Sequence, residues 1–206
     1  MNSFSENAKA NSLSETTQVP APGNHQCYDP VSIRLHWITA ALVVALWGIA
    51  QVIDLFPKGT PKITVRSLHI ILGVTLAFVL LTRIYWRMRH GRRLPRAQAG
   101  VLGYLAQGMH YVLYVALAAT LTLGIANVWV RGDTVIGLFT VPKFAPGDKA
   151  LKDLVEGLHG TFANTILILA GVHALAALFH HVVLRNTVLR RMLPGQDGRR
   201  SGRGDR

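Results

Sequence analysis

Four apolar segments, each long enough to cross a lipid bilayer, dominate this chain of 206 residues. A membrane-spanning helix needs about 20 mostly apolar residues. The four segments cover approximately residues 35–53, 65–86, 110–130 and 158–184. They show no period-two alternation, and lipid accepts only helices or closed barrels as spanning structures. The sequence therefore predicts an all-α protein, a four-helix transmembrane bundle.

The composition excludes an ordinary soluble enzyme. Hydrophobic residues make up 50% of the chain and charged residues only 16%, whereas soluble domains carry roughly 25% charged residues. The formal net charge of +12 would suggest a nucleic-acid partner for a soluble chain. Here the basic residues concentrate in the segments that connect or follow the apolar ones. No nucleic-acid partner is therefore expected, and the lipid bilayer is the expected surroundings.

The connecting segments predict the orientation in the membrane. Six arginines and no acidic residue lie between residues 83 and 96, and the C-terminal tail is also strongly basic. The segments after the first and third apolar stretches are nearly neutral. Because cytoplasmic loops carry the excess of Lys and Arg, both termini and the second connection are expected in the cytoplasm.

The two ends of the chain differ from its middle. Residues 1–27 are rich in Ser, Asn, Thr, Pro and Ala and lack the basic start and apolar core of a signal peptide. We expect a disordered cytoplasmic tail there, a membrane domain over residues 28–194, and a basic cytoplasmic tail over 195–206. The single cysteine, Cys27, excludes an internal disulfide, a cysteine-only metal site and covalent haem attachment.

Histidine is the ionisable residue that recurs near the ends of the apolar segments, and intramembrane ionisable residues are functional candidates. His159 and His173 lie 14 residues apart in the fourth segment. In a helix this spacing returns to within about 40° of one direction and separates the residues by about 21 Å. His69 shares the outer depth with His159, and His36 shares the cytoplasmic depth with His173.

Two imidazole pairs at separate depths of a helical bundle suit two haems b, each with two axial imidazoles. Small residues at Gly73, Gly160 and Gly171 would leave room for a flat macrocycle. The alternative for any one histidine is a hydrogen-bonded role near the lipid headgroups. A histidine-based metal carrier without haem is a further alternative, although zinc and copper sites usually need three or four ligands in one shell.

Three other histidines have more than one interpretation. His110 begins the third segment level with His36, so it is either a second-shell or interfacial residue or a replacement for one of the four ligands. His180 lies about 10 Å beyond His173 towards the cytoplasm, where it can contact a quinone carbonyl and relay a proton or simply anchor the helix at the interface. His181 points about 100° away from His180 and is expected to be structural.

Several stretches resemble the bacterial cytochrome b561 family over residues 28–194. They are YDPVSIRLHWITA at His36, RSLHIILG at His69, HYVLYVAL at His110 and LHGTFANTILILAGVHALAALFHHVVLRNTVLRRMLP along the fourth segment. The last stretch is similar to the short subgroup described as superoxide oxidase. The long N-terminal tail departs from the compact family pattern.

The resemblance implies a multi-pass protein of the bacterial inner membrane that passes electrons from periplasmic superoxide through two haems to ubiquinone. By position, it assigns His36 and His173 to the cytoplasmic-side haem, and His69 and His159 to the periplasmic-side haem. The rival function is a haem subunit that accepts electrons from a dehydrogenase or hydrogenase partner.

Both substrates imply further candidate residues. A quinone next to the inner haem needs a hydrogen-bond donor, for which Arg34 and His180 have a suitable depth. Superoxide is a small anion that cations can steer. The steering candidates on the outer side are Lys58, Lys62, Arg66 and Lys152.

Overall fold

The computed structural model describes residues 28–90, 100–185, 189 and 192–193. Within them the chain forms four long helices, which are α1 (Pro30–Val52), α2 (Thr60–Arg89), α3 (Val101–Arg131) and α4 (Lys149–Val182). A 3₁₀ turn at Ile53–Leu55 follows α1. Each of these four helices is long and apolar enough to cross a membrane. The predicted all-α four-helix bundle is therefore confirmed.

The helices extend beyond the apolar stretches that predicted them. Helix α3 begins at Val101 rather than near residue 110, and α4 begins at Lys149 rather than near 158. Hydropathy marks only the lipid-contacting part of a helix, whereas backbone hydrogen bonding continues through polar turns at its ends. For the same reason Arg83, which the sequence groups with the second connection, lies inside α2.

Local chemistry defines where the helices start and stop. The Asp29 carboxylate caps α1 by accepting hydrogen bonds from the Ser32 amide (2.9 Å) and hydroxyl (2.7 Å). It also accepts a hydrogen bond from the Trp86 indole at 2.8 Å, which joins the start of α1 to the end of α2. Burial alone raises the pKa of Asp29, but these donors outweigh it and lower the pKa below its usual range. Helix α3 ends at Gly132, whose φ of 65° is the left-handed conformation that favours glycine.

The bundle consists of two antiparallel helix pairs. Helix α1 packs mainly on α2, and α3 packs mainly on α4, with fewer contacts between the two pairs. Buried side chains from all four helices form the core where the pairs meet, namely Leu46, Leu76, Leu80, Ala116, Leu117 and Ile166. Outside this core, large apolar side chains such as Phe78, Val115 and Leu175 are each 67% exposed. This exposure is the arrangement expected of helices that face lipid.

A short hairpin between α3 and α4 was not predicted. Its strands, β1 (Thr134–Val135) and β2 (Phe139–Thr140), pair antiparallel. The buried Ser67 hydroxyl joins this hairpin to α2, because it donates to the Thr134 carbonyl at 3.3 Å and accepts from the Ile136 amide at 2.9 Å. The hairpin therefore lies against the N-terminal part of α2, two residues from His69.

Some expectations concern residues outside the described ranges. They are the disordered tail over 1–27 with Cys27, most of the basic tail, including residues 195–206, and the arginines between 91 and 99.

Candidate functional site

Four of the histidines meet in two pairs across the space between the helix pairs. The ring centroids of His36 on α1 and His173 on α4 are 6.5 Å apart, with their planes at 74°. Those of His69 on α2 and His159 on α4 are 6.3 Å apart, with their planes at 83°. Each pair therefore joins the α1–α2 unit to α4. The pairs are the same as those that matching depth predicts.

The spacing within each pair fits a single metal ion between the rings. A metal–imidazole bond is about 2 Å long, and a ring nitrogen lies about 1 Å from the ring centroid. When one metal ion binds both rings of a pair, the two centroids are therefore about 6 Å apart. Both pairs agree with this value. In the part of the chain that the structure describes, no group of three or more His, Cys, Asp or Glu residues is placed to hold a metal ion. The donor sets thus suit haem iron, which needs only two axial ligands.

The glycines near the pairs fit the same interpretation. A Cβ added at Gly73, Gly160 or Gly171 would meet no atom within 4 Å. This space leaves room for a macrocycle, but it does not distinguish these glycines, because Gly108 and Gly157 are equally open.

Helix α3 orients one ring of the pair formed by His69 and His159. His159 Nδ1 donates to the Thr120 carbonyl at 3.1 Å, which leaves Nε2 unprotonated and available to bind a metal. One turn further along α3, a Cβ at Gly124 would lie 3.1 Å from Cε1 of His159. Gly124 therefore leaves just enough room for this ring. The partner ring of His69 has a buried Nδ1 that makes no hydrogen bond to the described residues, although the Leu46 backbone lies near the ring.

The inner pair has cationic and aromatic neighbours. Arg83 Nη2 lies 3.0 Å from His36 Nδ1, and the guanidinium lies over the Tyr114 ring at 5.3 Å. The ring of His110 lies 5.1 Å from that of His173, and His110 Nδ1 donates to the Ala106 carbonyl at 2.6 Å. His110 lies well inside α3 rather than at its start. It is a third imidazole at the inner level, so both of its predicted roles stay open.

A polar contact crosses the bundle between the two levels. The Trp47 indole on α1 donates to the Asn164 side-chain oxygen on α4 at 2.9 Å. In lipid such interhelical hydrogen bonds satisfy groups that would otherwise be costly to bury. This bond helps to set the separation of α1 and α4 between the two histidine pairs.

Three of the four steering candidates make ion pairs with acidic residues. Lys62 Nζ lies 2.8 Å from Asp54, and Arg66 lies 3.3 Å from the buried Asp133. Lys152 Nζ is 3.9 Å from Glu156, a weaker contact on the same helix. Lys58, by contrast, is exposed and makes no ion pair with the described residues.

The quinone candidates lie at the end of the bundle that the sequence predicts to face the cytoplasm. Arg34 is exposed on α1, two residues before His36. His180 is half-buried in the last turn of α4, where its ring contacts Phe179 with the centroids 6.4 Å apart. His181 is also half-buried, and its Nδ1 makes no hydrogen bond to the described residues.

Sequence reasoning missed five residues of this region, which are Arg83, Thr120, Gly124, Trp47 and Asn164. Arg83 carried a detectable signal, because it is a charged residue inside an apolar stretch. Thr120 acts through its backbone carbonyl, which no side-chain pattern reveals.

Comparison with known proteins identifies the family of this chain. Residues 27–195 match the family model of prokaryotic cytochrome b561. A probable superoxide oxidase, CybB, of Yersinia pestis is 29% identical over 84% of this chain and 99% of its own length. Cytochrome b561 homolog 1 of Escherichia coli K12 is 30% identical over 81% of this chain and 97% of its own length. The chain is therefore a multi-pass membrane protein that belongs to the prokaryotic cytochrome b561 family of haem b electron-transfer proteins.

Proposed function

We propose that this protein is a superoxide:ubiquinone oxidoreductase of the bacterial inner membrane that binds two haems b. The observation that carries the proposal is that four imidazoles form two pairs at two depths of one bundle. The ring centroids are 6.5 Å apart in one pair and 6.3 Å apart in the other. Similarity to a probable superoxide oxidase supports the choice of substrate. When bound, each haem supplies an iron that gains and loses one electron.

The residues that would hold these groups are the paired histidines. His36 and His173 would hold the cytoplasmic-side haem, and His69 and His159 the periplasmic-side haem. Both axial positions of each iron would then be filled, which favours electron transfer over oxygen binding. The donor bond from His159 to Thr120 would keep one ring in its ligating tautomer.

The proposed topology places the membrane domain over residues 28–194 with both termini in the cytoplasm. Its support is the contrast between the two ends of the bundle. Arg83, Arg87 and Arg89 make no ion pair with the described residues at the proposed cytoplasmic end, whereas outer cations pair with Asp54, Asp133 and Glu156. A cytoplasmic excess of unpaired positive charge follows the positive-inside rule.

The reaction needs different chemistry at the two ends. On the outside, two superoxide ions each lose one electron to become oxygen. On the inside, ubiquinone gains two electrons and two protons to become ubiquinol. His180 can donate a hydrogen bond to a quinone carbonyl and relay a proton from the cytoplasm. Arg34 can offer a permanently charged donor to the quinone or to a haem carboxylate.

Outside, exposed Lys58 is the candidate that is free to attract superoxide. Lys62, Arg66 and Lys152 share their charge with nearby carboxylates, so their attraction for an anion is reduced.

Two measurements on the purified protein test the proposal. Dithionite should produce the sharp visible bands of haem b, and a haem assay should give two per chain. Superoxide generated enzymatically should then reduce ubiquinone without any partner protein. Absence of the bands would overturn the haem assignment and favour the histidine-based metal carrier. Normal bands without superoxide-driven reduction would favour a haem subunit supplied by a dehydrogenase or hydrogenase.

A further inference from the structure

The two histidine pairs have different electrostatic surroundings. At the inner level, Arg83 Nη2 lies 3.0 Å from His36 Nδ1. A ring that ligates iron through Nε2 carries its proton on Nδ1, so Arg83 would act on the inner haem through its charge and not through a hydrogen bond to this ring. Arg83 and Arg87 also lie over the same Tyr114 ring, at 5.3 Å and 5.8 Å. Neither arginine makes an ion pair with any acidic residue in the described part of the chain. Among the described residues, a positive charge without an acidic partner therefore lies next to one ring of the inner pair.

At the outer level the arginines contact carboxylates. Arg66 lies 3.3 Å from Asp133, and Arg131 lies 3.6 Å from the same carboxylate. Arg131 also contacts Glu156 at 2.8 Å. Two arginines thus share two carboxylates close to the end of the bundle that holds His69 and His159. Lys152 Nζ also lies 3.9 Å from Glu156, so three cations share two carboxylates and the net charge of this cluster is about +1, with each arginine in contact with a carboxylate.

A nearby positive charge favours the reduced form of a redox centre, because gaining an electron lowers the positive charge of the iron. The effect is stronger in the low dielectric of a membrane protein than in water. We propose that Arg83 raises the reduction potential of the haem held by His36 and His173 above that of the haem held by His69 and His159. Arg83 is a positioning and tuning residue in this proposal, which rests on the proposed function.

The consequence is a direction for electron transfer. Electrons that enter at the outer haem move to the higher potential at the inner haem, next to the proposed quinone site. An ion pair between Arg83 and a haem carboxylate would not reverse the expected fall in reduction potential when Arg83 is removed. Loss of the arginine would then leave that carboxylate unneutralised, and the potential would still fall.

A redox titration of the visible haem bands in the purified holoprotein tests the proposal. The wild-type protein should show two components. In Arg83→Gln the reduction equilibrium constant of the higher-potential component should fall at least tenfold. This change corresponds to a decrease of about 59 mV in its reduction potential for one electron. The lower component should not move. Arg83→Lys keeps the charge and should largely restore the wild-type value.

Arg89→Gln is the matched control, because Arg89 is an exposed arginine in the last turn of the same helix. It removes the same charge without contact with a histidine, so both components should keep their potentials. An unchanged titration in Arg83→Gln, or an equal shift in Arg89→Gln, would overturn the proposal.

A measurement on the wild-type protein needs no variant to fold. A membrane-impermeant paramagnetic ion outside sealed, right-side-out vesicles should speed the spin relaxation of the outer haem only. The component affected should be the one with the lower potential, and the opposite order would contradict the proposal. Both experiments are independent of the electron donor, so failure of the superoxide assay leaves them interpretable.

Discussion

His159 on α4 donates a hydrogen bond to the backbone carbonyl of Thr120 on α3, 39 residues earlier in the chain, at 3.1 Å. The carbonyl belongs to a helix whose close approach at Gly124 limits where the ring can lie. A ligand of the proposed outer haem is thus oriented by a helix that contributes neither ligand of that pair. The paired histidines, by contrast, are supplied by α1, α2 and α4.

Gly124→Ala should impair the outer haem, because the new methyl group would lie 3.1 Å from His159 Cε1 and force the ring to move. The measurement is the haem content and the low-spin spectrum of the purified variant. Gly108→Ala on the same helix is the control, since a Cβ there meets no atom within 4 Å. Both changes raise helix propensity by about 1 kcal/mol, so only steric crowding distinguishes them. Identical spectra for the two variants would show that Gly124 does not position His159.

Removing one histidine of a pair should remove one haem. His159→Ala and His69→Ala should each lose the outer haem, while His36→Ala and His173→Ala should each lose the inner one. Haem content should fall from two per chain to about one, and paramagnetic resonance should lose one of two low-spin signals. If His173→Ala kept both haems at full occupancy, the pairing would be wrong. His110, whose ring lies 5.1 Å from that of His173, would then be the replacement ligand.

His180→Ala should slow the reoxidation of reduced haem by ubiquinone at least tenfold, about 1.4 kcal/mol of activation free energy. The physical reason is loss of a hydrogen-bond donor and proton relay at the inner end. Stopped-flow mixing of the reduced protein with ubiquinone measures this rate, and reduction by superoxide should not change. His181→Ala removes the same group from the adjacent position and serves as the control. A wild-type rate in His180→Ala would leave His180 as an interfacial residue.

The outer cations should separate into structural and steering residues. Arg66→Gln should lower stability by about 1 kcal/mol, because the buried Asp133 loses one of its two cationic partners. Thermal unfolding in detergent, followed at the haem bands, measures this effect. Lys58→Gln makes a useful comparison, since it should leave the unfolding temperature unchanged.

Lys58→Gln should instead slow superoxide-driven haem reduction at low salt and weaken its dependence on ionic strength. Neutralising Arg66 and Lys152 together should have a smaller effect on this salt dependence, because both side chains contact carboxylates. A larger effect from the double variant than from Lys58→Gln would assign the steering role to the paired cations.

Thiol labelling tests the topology. A cysteine that replaces Leu138, which is 88% exposed in the hairpin, should react in intact cells with a membrane-impermeant reagent. A cysteine that replaces Gly91 should react only after lysis, because the arginine-rich second connection is expected in the cytoplasm. Both variants need Cys27→Ser as background. Labelling of the Gly91 position in intact cells would reverse the proposed orientation.

The number and nature of the helices were predictable from the sequence. Four apolar stretches of about 20 residues allow few other structures in lipid, because every backbone polar group there must be hydrogen-bonded within the segment. The placement of His159 and His173 on one face also follows from helix periodicity alone. Depth matching then predicted which histidines meet, and the structure brings the same residues together.

What only the tertiary structure decided is which distant residues share a local environment. Arg66 and Asp133 are 67 residues apart, and Arg83 and His36 are 47 apart. Arg66 therefore contacts a carboxylate, whereas Arg83 makes no ion pair with the described residues, although both are arginines of the same helix. Trp47 and Asn164 are separated by 117 residues. Hydropathy and periodicity describe one helix at a time, whereas these contacts depend on the rotation and separation of packed helices.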